Sequence, residues 1–227
     1  MKIAEIFYSI QGEGSLAGVP SVFVRTSGCN LRCVWCDTPY TSWHPEGSEL
    51  SSKEILEAVL LFEASHVVIT GGEPMIAPGL SDLAAQFRAN DLHITIETAG
   101  TVYQSLACDL MSISPKLKNS TPHVREEGRW AAQHERLRYQ PQILKQLASE
   151  YSCQFKFVVS APEDVAEIET MQREVGFPPH DVILMPEGTN SATLQERSRW
   201  LVEICKTKHY RFSPRIHVDI WGALRGV

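Results

Sequence analysis

Three thiols lie within eight residues in the stretch Cys29-Asn-Leu-Arg-Cys33-Val-Trp-Cys36, and Asp37 and Thr38 follow at once. Cysteines spaced in this way turn their sulfurs towards one point when the backbone loops around it. Soft thiolates so grouped suit iron-sulfur clusters or zinc. Gly28 gives the loop a permissive start. The count of three is informative, because a closed tetrahedral zinc site takes four protein ligands. Three thiolates on a [4Fe-4S] cluster instead leave one iron open to an exogenous group, and that iron is where chemistry can occur. On spacing alone two other readings stay open: zinc with a distant fourth ligand, drawn from Cys108, Cys153, Cys205 and the eight histidines, or redox thiols.

Other candidate groups lie on either side of this loop. Ile10-Gln11-Gly12-Glu13-Gly14 is a glycine-rich turn with two polar side chains, which by itself says only tight loop. Arg25 stands at the end of an apolar run just before the cysteines, where a guanidinium can grip a carboxylate bidentately; an ordinary solvated arginine is the plain alternative. Gly71-Gly72-Glu73-Pro74 ends another apolar run. Its glycines let backbone approach a ligand, and Glu73 either holds the turn or meets a cation.

The elements that must position these groups follow from periodicity. Ile3 to Phe7 reads as a short strand. In the strand Ser21 to Ser27, alternation sets Val22 and Val24 on one face and Phe23 and Arg25 on the other. Ser51 with Glu54 forms a capping box and Leu50 with Ile55 a hydrophobic staple, so a helix starts there, with Ile55, Leu56, Val59, Leu60 and Phe62 as its apolar stripe. Strands are expected at 66–70, 92–97, 109–114, 154–159 and 181–186, the first of these buried on both sides. Helices are expected from Leu80 to Asn90, from Pro141, from Pro162 to Val175 and from Thr193 to Cys205. Trp200 in the last reads as packing. Residues 117–138 are polar and read as a solvated loop with a broken helix, and 211–227 as a last strand and tail. Six strands alternating mainly with helices imply an α/β fold with a parallel sheet and right-handed crossovers, in which ligands gather at the C-terminal strand ends. The polar groups fall there: the three-cysteine loop, Thr70 to Gly72, Glu97 and Thr98, Ser114 to Lys116, Lys156, and Met185 to Gly188.

The 227 residues suit one domain, read as 1–227, and 43% hydrophobic content is ample for a core. A net charge of −6 without basic runs disfavours direct nucleic-acid binding and points to a small substrate. No stretch is long and apolar enough for a signal peptide or membrane span, so a cytoplasmic protein with no membrane partner is expected. Six cysteines, three clustered, fit metal ligation in a reducing compartment better than disulfides. Cys108, Cys153 and Cys205 read as small buried apolar residues.

Cys-x3-Cys-x-aromatic-Cys, with Trp35 as the aromatic, together with Gly71-Gly72-Glu73-Pro74, resembles the signatures of radical S-adenosylmethionine (SAM) enzymes. Within that superfamily the chain resembles the 7-carboxy-7-deazaguanine synthase family. The likeness runs through Ile10 to Gly14, Gly18-Val-Pro, Val24-Arg25, Cys36-Asp37-Thr38, Val67 to Pro74, Ile96-Glu97-Thr98-x-Gly100-Thr101, Ser114-Pro115-Lys116 and His217, and is thinnest between 117 and 180. It implies a shortened, partial and open TIM-like barrel, and a homodimer covering exposed apolar surface. The implied activity is that of a carbon-nitrogen lyase in the pathway to queuosine, a modified tRNA base. Reductive SAM cleavage would yield a 5'-deoxyadenosyl radical that takes hydrogen from C6 of 6-carboxy-5,6,7,8-tetrahydropterin, and ring contraction with loss of ammonia would give 7-carboxy-7-deazaguanine.

The resemblance also assigns residues. Cys29, Cys33 and Cys36 would hold the [4Fe-4S] cluster. Trp35, Asp37, Gly72, Glu73, Ser114, Pro115, Lys116 and the loop Met185, Pro186, Glu187 and Gly188 would border SAM. Ile10, Gln11, Gly12, Glu13, Arg25, Thr70, Glu97 and His217 would face the pterin, with Arg25 answering its carboxylate. Thr38 would be the one protein ligand to Mg2+, a hard cation that keeps several waters. An electron donor such as flavodoxin or ferredoxin is implied as partner. Two other readings stay open here: a glycyl-radical-enzyme activating protein, which leaves Gln11, Glu13 and Arg25 unexplained together, and a zinc-stabilised binding module.

Overall fold

The computed structural model describes residues 1–227. Nine strands form one sheet: β1 (Lys2–Ile10), β2 (Pro20–Thr26), β3 (Ser48–Glu49), β4 (His66–Gly71), β5 (His93–Thr98), β6 (Leu110–Ile113), β7 (Cys153–Val159), β8 (Val182–Pro186) and β9 (Arg211–Phe212). Their spatial order is β3-β1-β2-β4-β5-β6-β7-β8-β9, and the sheet is open. From β2 to β9 every neighbouring pair is parallel, whereas β1 runs antiparallel to both β2 and β3. The parallel core agrees with the expectation of an open TIM-like barrel, and β1 adds an antiparallel flank that periodicity alone did not orient.

The helices are α1 (Pro39–Ser42), α2 (Ser52–Leu60), α3 (Leu80–Ala89), α4 (Ala131–Leu137), α5 (Pro141–Glu150), α6 (Asp164–Val175), α7 (Ser191–Lys208) and α8 (Ile216–Trp221). Ser51 and Glu54 cap α2 reciprocally, as the capping box requires. The stripe of α2 is narrower than its sequence suggests. Ile55 and Val59 are buried, but Leu60, the last residue of the helix, is exposed, as is Phe62 beyond its end.

Strand alternation builds the molecule. Val22 and Val24 of β2, Val67 and Ile69 of β4, and Ile94 and Ile96 of β5 enter one core with Leu83 and Phe87 of α3 and Leu144 and Leu147 of α5. The intervening residues Arg25, Thr70, Glu97, Ser112 and Lys156 point to the opposite face and line a cavity. The sheet thus has a dry side fixed by hydrophobic burial and a polar side that can serve chemistry.

Three expectations are corrected. Residues 117–138 are not solvated as a whole: Ser120, Thr121, His134 and Arg138 are buried, and the segment packs on the three-cysteine loop. The last stretch keeps its strand, of only two residues, and its tail, but between them adds the short helix α8, which carries His217. Cys108 and Cys153 are half-buried, while Cys205 is buried.

Candidate active site

The three-cysteine loop is held by backbone contacts with the Gly71-Gly72-Glu73 turn. Gly28 N–H donates to Thr41 O (2.8 Å), and Gly28 O accepts from Glu73 N–H (3.0 Å). A Cβ on Gly72 would lie 2.0 Å from Gly28 O, and one on Gly71 would lie 2.1 Å from Thr26 O. The glycine pair is therefore needed so that two loops can touch backbone to backbone. Within the loop, Leu31 N–H donates to Cys29 Sγ (3.3 Å), Cys36 Sγ lies 3.3 Å from Ser42 Oγ, and Trp43 Nε1–H donates to Cys33 O (3.0 Å).

All three sulfur-bearing residues line one cavity of about 290 Å³. No three His, Cys, Asp or Glu side chains close on a single-ion site. Three soft donors from one loop, facing one cavity, fit a cluster in which each cysteine takes a different iron. Burial pushes the Cys29 thiol up to about 12, and the nearby Glu73 adds to this. Burial raises the Cys33 thiol as well, against the opposing pull of Lys116. Metal binding must therefore displace protons from these sulfurs.

Glu73 is fully buried and off the cavity wall. Its carboxylate accepts from Met75 N–H (3.1 Å), Thr98 Oγ1–H (2.7 Å) and Ala99 N–H (2.8 Å). It ties the turn to the end of β5, so of its two readings the structure supports the holding of the turn. Pro115 and Pro186 also lie off the wall. The remaining residues assigned to the site from the sequence, Ile10 to His217, all line the cavity.

One end of the cavity is the cysteine loop with Trp35, whose indole N–H donates to Asn119 Oδ1 (3.3 Å). Lys116 Nζ lies 5.9 Å from the Trp35 ring centroid and donates to Ser114 Oγ (2.8 Å). The other end is charged. Glu97 accepts from Thr70 Oγ1–H (2.8 Å) and Gln11 Nε2–H (3.2 Å) and lies 3.8 Å from Lys156. Lys156 also pairs with Glu13. Arg25 donates through Nε to Glu5 (2.6 Å), which leaves its two terminal nitrogens directed at no partner within the chain.

Arg215 joins the two ends. It donates through Nε to Glu13 (2.9 Å), through Nη2 to Asp37 (2.5 Å) and through Nη1 to Gly188 O (2.6 Å). Burial would raise the Glu13 carboxyl, but Lys156, Arg215 and His217 outweigh it and hold the group far below the usual carboxylate range. Burial lowers the His217 pKa, with Glu13 opposing. The imidazole packs against Gly12 through Nδ1, where a Cβ would sit 1.9 Å from that nitrogen. Sequence reading missed Arg215 and assigned no role to Lys156. For Lys156 the strand-end position was the available signal; for Arg215, in an irregular segment, there was none.

Residues 23–117 match the Radical SAM superfamily. The chain is 44% identical to the 7-carboxy-7-deazaguanine synthase of Halobacterium salinarum, over 98% of this chain and 91% of that protein. It is 43% identical to the enzyme of the same name from Rhodopirellula baltica, over 99% and 88%. Its fold is similar to the crystal structure of QueE from Escherichia coli, with a TM-score of 0.70 at 26% identity, covering 95% of this chain and 94% of that one.

Proposed function

The chain belongs to the 7-carboxy-7-deazaguanine synthase family of radical SAM enzymes, and on that premise we propose that it converts 6-carboxy-5,6,7,8-tetrahydropterin to 7-carboxy-7-deazaguanine with loss of ammonia. Membership displaces the activating-protein and zinc-module readings. A [4Fe-4S] cluster and SAM are the cofactors of such an enzyme; once bound they supply a carbon-centred radical able to take hydrogen from the substrate. The observation that carries the substrate assignment is the two-ended cavity, with thiols and Trp35 at one end and Arg25, Glu13, Glu97 and Lys156 at the other. Anaerobic incubation of reconstituted protein with SAM, dithionite and the carboxylated tetrahydropterin tests it. The mass of 7-carboxy-7-deazaguanine is expected; unchanged pterin alongside SAM cleavage would reject the substrate.

In this reading the chain's own residues do the following. Cys29, Cys33 and Cys36 ligate the cluster. Trp35, Gly72, Ser114, Lys116 and the loop at Met185 to Gly188 form the SAM side. Glu73 acts indirectly by bracing the turn that carries Gly72. Glu13, Glu97 and Gln11 present acceptors and a donor to the polar edge of the bicyclic ring, while Lys156 and Arg215 balance their charge. Residues 222–227 line the same cavity, with Arg225 pairing to Glu5 (3.1 Å) and Glu46 (3.0 Å).

The terminal nitrogens of Arg25 would take the substrate carboxylate, with Glu5 fixing the orientation of the fork. Arg25→Ala is then expected to weaken binding of the carboxylated pterin by about 2–5 kcal/mol while SAM affinity stays near wild type. Calorimetric titration of each ligand checks this, and an unchanged pterin dissociation constant rejects the role.

Thr38 lines the same cavity and offers a hydroxyl oxygen beside the cysteine loop, which suits a cation that keeps most of its waters. Chelation of Mg2+ is expected to slow turnover, and Thr38→Ala to remove the response to added Mg2+. A rate indifferent to chelator would end this assignment.

No helix is long and apolar enough to cross a membrane; a cytoplasmic location and a small electron-transfer protein as reductant belong to the same proposal. So do the extent of one domain over 1–227 and the homodimer, for which exposed Tyr8, Leu61 and Phe62 offer apolar surface.

A further inference from the structure

The segment 117–138 contains the most deeply buried histidine of the chain, and one of its ring nitrogens meets the backbone of the three-cysteine loop. His134 is 1% exposed. Its Nε2 lies 2.9 Å from Ser120 Oγ, and its Nδ1 lies 3.1 Å from Arg32 N. Ser120 has a single hydroxyl proton, which it gives to Leu117 O at 2.6 Å. Its oxygen must therefore accept from the imidazole, so Nε2 carries the ring proton and Nδ1 presents a lone pair to the Arg32 N–H. Burial holds the ring's pKa down to about 4, in keeping with a neutral acceptor.

Arg32 sits between two of the three cysteines, and the peptide that His134 holds is Leu31–Arg32. The carbonyl of that peptide accepts from the Arg32 guanidinium (2.8 Å). The preceding N–H, of Leu31, donates to Cys29 Sγ (3.3 Å). Ser120 makes a second contact with the loop, its carbonyl accepting from Val34 N–H (2.8 Å). The support beneath is rigid: Arg138, one turn on from His134, donates to Glu135 (2.9 Å), Glu167 (2.8 Å) and Lys116 O (2.9 Å). Two backbone N–H groups of the loop, those of Arg32 and Val34, are thus paired by one segment, as buried peptide groups require.

We propose that His134 is a positioning residue that sets the three-cysteine loop for its cluster, holding the Leu31–Arg32 peptide through Nδ1 while Ser120 fixes the ring tautomer. The inference rests on the reading that this loop holds the cluster, and outer groups that orient metal ligands tune affinity and potential.

The test uses full-length protein reconstituted anaerobically as wild type, His134→Leu and His134→Asn, with folding checked by circular dichroism. Iron content, the rate of bleaching in air and the cluster midpoint potential are read. Leu fills the space without an acceptor; Asn places an amide oxygen where the ring has Nδ1. We expect bleaching of the Leu variant to be faster by about tenfold or more, by analogy with lost outer-shell partners, and the Asn variant to return close to wild type. A folded Leu variant that bleaches like wild type overturns the proposal, as does an Asn variant that bleaches as fast as Leu. Should His134→Leu not fold, Ser120→Ala carries the test: faster bleaching or a shifted potential supports the proposal, and wild-type values of both reject it. A wild-type protein that takes up no iron would instead refute the cluster reading itself.

Discussion

Cys33→Ala is expected to abolish cluster assembly and SAM cleavage while leaving the fold in place. The side chain is small, so its truncation removes little packing, but it is one of only three thiols on the cavity wall. The oxygens closest to the loop sulfurs, Ser42 Oγ and Thr38 Oγ1 near Cys36, are poor substitutes for a thiolate. The other cysteines cannot step in. Cys108, Cys153 and Cys205 contact Ile94 O, Leu147 O and Arg211 O and none of them lines the cavity. Iron analysis and the appearance of 5'-deoxyadenosine after anaerobic reconstitution are the measurements. SAM cleavage at the wild-type rate would count against the whole ligand assignment.

The second large effect is expected at Arg215. Its guanidinium is 8% exposed and pairs with Glu13, itself 13% exposed, and with the more open Asp37. Arg215→Met keeps most of the side-chain length but leaves a buried carboxylate short of one of its cations, which costs about 3–5 kcal/mol for buried pairs. Asp37 contributes little to that figure, because water screens it. Folding depresses the Glu13 pKa, so its contribution to stability is complete above the ordinary carboxylate value and is lost as pH falls through the acid range. Arg215→Met should lower the urea midpoint at neutral pH and flatten its decline towards acid. A midpoint equal to wild type at both pH values would show that Lys156 alone satisfies Glu13.

What could be read from the sequence was what repeats. The alternation in β2 placed Val22 and Val24 in the core and Arg25 in the cavity, because a two-residue period leaves a side chain no choice of face. Ser51 and Glu54 announced their helix through local hydrogen bonding. The cysteine spacing, Gly71-Gly72 and the strand-end polar groups fell where a parallel sheet puts its ligands. What could not be read depends on partners distant in sequence. His134 sits among charged residues, and its burial is set by Arg32 and Ser120 rather than by any pattern around it. Arg215 follows a strand of two residues, too short to show a period, and the choice between Glu73 holding its turn and meeting a cation stayed open because nothing local revealed Thr98 and Ala99 as its partners.

The contact between Glu13 and Arg215 joins positions separated by 202 residues, whereas the three thiols lie within eight. The two halves of the cavity therefore rest on closures of different reach: the thiol loop is held across separations of up to 102 residues, and the charged end across 202, which carries the larger loop-closure entropy. Loosening of the two-residue β9 margin would erase the pterin end while sparing the thiols. Hydrogen exchange should accordingly find the amides around Arg215 opening well before those of β4 and β5.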